Sequence, residues 1–155
     1  LTPISGLKVN ASYASGDDYG TTAGEGYAFS GSYAVGEIAT VGAGKMYNAD
    51  DSEAVIMNVS GSAGPIGLAA ELHTDTTAAG VDTDTTTMSA TYSIDSYTFG
   101  VETMKAESAG TVSSDELTWG IHQTVAPGLV AFAEMTSDDK TASEKTTAFG
   151  ITMKF

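Results

Sequence analysis

Apolar and polar residues trade places one by one along most of this chain. At its end, Phe149, Ile151, Met153 and Phe155 alternate with Ala148, Gly150, Thr152 and Lys154. A strand turns successive side chains to opposite faces, so this stretch reads as strand with one apolar side and one small, polar side. The same alternation recurs between clusters of Gly, Asp, Ser and Thr, and no window sustains a helical period. Ten strands are predicted, near 6–15, 25–35, 37–47, 53–63, 66–75, 85–95, 97–106, 115–125, 129–137 and 145–155.

The connections sort by length. Val35-Gly36-Glu37, Ala63-Gly64-Pro65, Asp95-Ser96 and Ala126-Pro127-Gly128 are short. The others are longer and acidic, holding Asp17, Asp18 and Glu25; Asp50 and Asp51; Asp75, Asp82 and Asp84; Glu107 and Asp115; Asp138, Asp139 and Glu144. Long and short alternate, as expected of an antiparallel up-and-down β-barrel crossing a membrane, with tight turns at one edge and loops at the other. Both termini then fall on the short-turn edge.

The strand faces agree with that fold class. One face is predicted to carry Leu7, Val9, Ala11 and Tyr13; Tyr27, Phe29, Gly31, Tyr33 and Val35; and Ile66, Leu68, Ala70 and Leu72. It continues with Met88, Ala90, Tyr92 and Ile94; Tyr97, Phe99 and Val101; and Leu117, Trp119 and Ile121. The opposite face is nearly all Gly, Ala, Ser and Thr, with few Lys or Glu. A solvated sheet face usually carries more charge, whereas a face over a water-filled lumen needs room. The alternative is a soluble β-sandwich that hides its large residues inside. Aromatic residues gather toward strand ends. Tyr13, Tyr27, Tyr47, Trp119 and Phe149 are expected toward the loop edge, and Tyr33, Tyr92, Tyr97 and Phe155 toward the turn edge, as two membrane-interface belts.

Composition adds limits. No stretch approaches the ~20 apolar residues of a membrane-spanning helix, a test to which barrels are blind. Cysteine is absent, which excludes thiolate metal sites, disulfides and cysteine nucleophiles. The net charge is −14, from 20 acidic residues against six lysines and no arginine. That balance argues against nucleic acid as a partner and suits cations. No signal peptide is present and Leu1 is not an initiator, so a mature form or an internal fragment is expected.

The segment Ala126-Pro127-Gly128-Leu129-Val130-Ala131-Phe132-Ala133-Glu134 and the ending Gly150-Ile151-Thr152-Met153-Lys154-Phe155 resemble the general diffusion porins of alphaproteobacteria. The opening Pro3-Ile4-Ser5-Gly6-Leu7-Lys8-Val9-Asn10-Ala11-Ser12-Tyr13 resembles a stretch that these porins carry inside the barrel. The resemblance implies a homotrimeric barrel of about 16 strands in a Gram-negative outer membrane, among lipid and lipopolysaccharide. It also implies passive diffusion of small hydrophilic solutes, with both termini periplasmic and no enzyme activity. Residues 1–155 are then a single barrel domain or, more in keeping with the opening, the C-terminal ten strands of a larger one. A small closed ten-stranded barrel acting as a structural, adhesion or phage-binding surface is the alternative, since even strand numbers from about eight upward occur. Porin constrictions usually oppose a basic cluster to acidic residues. This chain has no arginine, so the basic cluster lies elsewhere or the pore is unusually acidic.

The strand phase puts Lys8, Glu71, His73, Glu102, Glu116, His122, Glu134 and Lys154 on the small, polar face as candidate pore-lining residues. Charge is costly against mid-bilayer lipid and tolerable in water. Carboxylates outnumber lysines there, so mild cation preference is expected. Asp50, Asp51, Asp82, Asp84, Asp138 and Asp139 are candidate calcium ligands, because carboxylate oxygen suits that hard cation, although none fits an EF-hand. No cofactor is otherwise indicated. His73 with Glu71 and His122 with Glu116 invite an acid–base reading, but no nucleophile or phosphate-loop motif accompanies them.

Overall fold

The computed structural model describes residues 5–14, 26–48, 50–140 and 145–153. They form ten strands: β1 (Leu7–Ala14), β2 (Gly26–Val35), β3 (Ala39–Tyr47), β4 (Glu53–Ala63), β5 (Ile66–Thr76), β6 (Asp82–Ile94), β7 (Tyr97–Ser108), β8 (Thr111–Ala126), β9 (Leu129–Asp138) and β10 (Lys145–Met153). Each strand pairs antiparallel with its neighbours in chain order, giving one meandering sheet. The described residues of β1 and β10 do not touch, so these strands do not close a barrel on themselves.

The register keeps the two predicted faces separate across the whole sheet. Followed strand by strand, Leu7 lies opposite Tyr33, then Val41, Val59, Ala70, Met88, Thr103, Leu117, Ser137 and Lys145. That row begins at the first residue of β1, at the turn edge. It ends at the first residue of β10, at the loop edge. Neighbouring strands are thus staggered, always in the same sense, which is the shear that barrel strands need to tilt and close.

No side chain among the described residues is buried. Leu7, Val9, Phe29, Leu68, Met88, Val101, Trp119 and Ile151 are all exposed on one face. A soluble β-sandwich would cover such a face with a second sheet, and the described residues contain none. Soluble monomers rarely leave large contiguous apolar patches bare.

Two predicted loops are shorter than their composition suggests. The β7–β8 connection is a two-residue turn at Ala109-Gly110, with φ of 48° and 77°. Positive φ at both positions is the hairpin geometry that matches strand twist. Glu107 and Asp115 are therefore strand residues. Thr111, Val112, Ser113 and Ser114 extend β8, and the Ser113 hydroxyl donates to the Ala106 carbonyl at 3.3 Å. The strict alternation of long and short connections breaks here. Likewise β6 starts at Asp82, so Asp82 and Asp84 leave the predicted loop for the strand. Threonine and serine read as loop when polar and as strand when a partner strand is available, and here the partner decides. The turn at Pro127-Gly128, with Gly128 at φ 78°, is as predicted.

Candidate functional site

The small, polar face is the candidate site. Glu71 on β5 lies opposite Asn58 and Thr87, and His73 lies opposite Ile56 and Thr85. Glu102 on β7 faces Ser89 and Thr118. On β8, Glu116 faces Met104 and Asp138, while His122 faces Thr98 and Phe132. Lys8 on β1 faces Ser32, and Glu134 on β9 faces Gly120 and Ala148. Seven of the candidate lining residues thus share one face, and Lys154 lies outside the described residues. Between them β6 contributes Thr83, Thr85, Thr87, Ser89, Thr91 and Ser93, a hydroxyl rung at every second position.

The charged groups are partly exposed, and each histidine pairs with a carboxylate. Glu71 and Glu102 flank β6 and border a recess of about 410 Å³ with Asn58, Ser60, Thr87 and Ser89. His73 Nε2 lies 3.3 Å from Asp75 Oδ1, and His122 Nε2 lies 2.9 Å from Glu134 Oε1. The Ser114 hydroxyl donates to Glu116 at 3.0 Å. His73 and His122 therefore pair with Asp75 and Glu134, not with the Glu71 and Glu116 that spacing suggested. In a strand a residue meets its cross-strand diagonal as readily as its neighbour two positions along. Asp75, Asp138 and Asn58 also belong to this face. The predicted loops hid the first two, and a period-two count through the strand ends finds them.

The opposite face carries the aromatic candidates. Tyr33 lies between Leu7 and Val41, Tyr92 between Ile66 and Phe99, and Trp119 between Val101 and Met135. Tyr97 accepts a 3.0 Å hydrogen bond from the Gln123 amide at the turn edge. Phe149 lies opposite Ala133, and Phe155 is outside the described residues. Tyr13, Tyr27 and Tyr47 form one row across β1–β3, with the Tyr27 and Tyr47 rings stacked at 4.6 Å. Lys45, which the pattern did not single out, sits on this apolar face near the loop edge. Its ammonium lies 4.5 Å from the centre of the Tyr47 ring and 2.8 Å from Glu53. A lysine can hold that place because its stem lies on apolar surface while its head reaches water.

The calcium candidates do not converge. Asp50 Oδ1 accepts from the Ser52 hydroxyl at 2.6 Å and from the Ser52 amide at 3.1 Å. Those two bonds hold its carboxyl below the ordinary 3.8. Asp51 follows in the left-handed region at φ 66°. Asp84 and Asp82 accept from the Thr74 and Thr76 hydroxyls at 2.7 and 2.9 Å. Asp138 accepts from the Lys140 amide at 2.8 Å, and the Asp139 amide donates to the Asp115 carbonyl at 3.1 Å. Among the described residues no three His, Asp or Glu side chains are placed to hold one ion.

The sequence model of the Gram-negative porin family matches residues 2–154. The chain belongs to this family. Its fold is similar to that of a porin structure refined at 1.8 Å, with a TM-score of 0.82 at 17% identity, covering 99% of this chain and 59% of that one. Two variants of the Rhodopseudomonas blastica porin give TM-scores of 0.79 and 0.78 at 15% and 14% identity. Each is matched over 99% of this porin chain and 53% of its own. The chain thus spans a little over half the length of these porins. No curated protein matches it.

Proposed function

We propose that this chain forms one wall of a water-filled diffusion channel in a Gram-negative outer membrane. The polar face lines the lumen and the apolar face meets lipid. The observation that carries this reading is a coreless sheet sorted into two faces. One is apolar, and the other combines small residues with Glu71, Glu102, Glu116 and Glu134. An unpaired strand edge is costly in hydrocarbon, where no water satisfies its backbone groups. The reading therefore has β1 and β10 pair with further strands of a wider barrel, in keeping with the share of the solved porins that is covered. Small hydrophilic solutes and ions cross without covalent chemistry. On the described polar face Glu71, Asp75, Glu102, Glu116, Glu134 and Asp138 outnumber Lys8, so the channel mildly prefers cations. By the family resemblance it is a homotrimer, with lipopolysaccharide around the loop edge and both termini at the periplasmic turn edge.

Reversal potentials of the full-length protein in planar bilayers under a KCl gradient test this. The potential shifts toward that of potassium, and Glu71→Gln with Glu102→Gln moves it back. A shift toward chloride removes the cation preference, and the absence of conductance steps removes the channel.

A further inference from the structure

We propose that the polar face carries a subsite for a small organic ammonium ion on β8–β10, built from Phe132, Glu134 and His122. The proposal rests on the channel reading, which opens this face to passing solute. His122 and Phe132 stand opposite each other across β8 and β9, their rings 6.0 Å apart and inclined by 26°. His122 Nε2, 2.9 Å from Glu134 Oε1, fixes the carboxylate beside the two rings.

Two glycines make this arrangement fit. A Cβ at Gly120 would come within 2.8 Å of Glu134 Cγ, and one at Gly150 within 3.0 Å of two ring carbons of Phe132. Glu134 thus lies over Gly120 of β8, and Phe132 over Gly150 of β10. Both stay along the wall. Together with Val130 and Thr152 they border a recess of about 420 Å³, within the size range of small-molecule sites.

The wall is mixed in a way that selects. A carboxylate accepts up to about four hydrogen bonds, so the one to His122 leaves capacity for an ammonium donor. The Phe132 ring attracts the same cation through its negative face, and Val130 takes up apolar substituents. A potassium ion gains nothing from Val130 and has its own hydration to lose. The recess at Glu71 and Glu102 has hydroxyls and an amide but no aromatic ring, so ammonium recognition belongs to β8–β10.

Saturation-transfer NMR on the detergent-solubilised full-length protein tests this, with benzylammonium as probe and benzyl alcohol as neutral control. Benzylammonium binds the natural protein. Glu134→Gln, which keeps the shape and removes the charge, weakens it about tenfold. Phe132→Leu weakens it about threefold. Benzyl alcohol is indifferent to Glu134→Gln. Equal affinity in all three proteins, or no transfer to benzylammonium, overturns the subsite. Conductance is measured on the same preparation. Current without binding overturns the subsite and leaves the channel, whereas binding without current supports the subsite and overturns the channel.

Discussion

The β2–β4 and β6–β8 regions carry the same kind of apolar band on strands of different length. The first three are 10, 9 and 11 residues long, and the second three are 13, 12 and 16. On β2 the outer face is apolar or glycine from Val35 at the turn edge to Tyr27 at the loop edge. There the Tyr27–Tyr47 stack and Lys45 close the band. On β6 it is apolar from Ile94 to Met88 and then turns to Thr86, Asp84 and Asp82. On β7 it runs from Tyr97 to Val101 and then to Thr103, Lys105 and Glu107. A tilted membrane strand needs about 9–11 residues. The shorter strands match that length, and the longer ones continue beyond the band with polar residues on both faces. Strand length therefore does not measure membrane thickness here, and the composition of one face does.

The strongest test of that difference puts one charge in each half of the outer face. Leu68→Arg, in the band opposite Gly61 and Ala90, costs about 2–4 kcal/mol of folding stability in lipid. Thr86→Arg, beyond the band, costs about 0–1 kcal/mol. Equilibrium unfolding of the full-length protein in vesicles measures both, and equal losses erase the distinction.

Two glycines sharpen it. At Gly120, in the packed wall, an added Cβ meets Glu134 Cγ at 2.8 Å and the Ala133 carbonyl at 3.0 Å. Gly120→Ala therefore destabilises by about 1–3 kcal/mol and displaces Glu134. Gly110 sits at the tip of the β7–β8 hairpin at φ 77° with open space around it. Gly110→Ala meets only the left-handed backbone cost of about 1 kcal/mol and leaves conductance unchanged. Unfolding midpoints and single-channel currents of the two variants check this, and a conductance change on Gly110→Ala would place the hairpin in the pore.

The smallest effect lies in the β3–β4 connection. The Ser52 hydroxyl, and after it the Ser52 amide, hold Asp50 below 3.8. A depressed carboxyl stabilises the fold above its unfolded value and loses that contribution as pH falls through the folded one. Carboxyl NMR titration of Ser52→Ala should return Asp50 toward 3.8, and an unmoved value would assign the shift to the amide alone.

Much of this was legible beforehand because alternation is local. Residues 148–155 alone declare two faces, and the same count assigns Lys8, Glu71, Glu102, His122 and Glu134 to the polar one. The register agrees, since directly paired residues share a face. The misreadings lie where composition is ambiguous. Residues 107–114 contain Glu, Ser, Gly and Thr, which suit a loop, yet Ala109-Gly110 supplies a tight turn and the flanking hydroxyl residues pair into strand.

By itself the sequence determined the ten strands, their two faces, the tight turn at Pro127-Gly128 and the acidic balance. Each of these depends on a residue and its near neighbours. Only the tertiary structure decided the stagger from Leu7 to Lys145, the separation of the described residues of β1 from those of β10, and the meeting of His122, Phe132 and Glu134 over Gly120 and Gly150. Those depend on which residues of separate strands stand opposite one another. That choice is made between strands, by the turn geometry and by the matching of apolar faces, because backbone hydrogen bonds alone would serve any register equally; one strand's own alternation therefore does not show it.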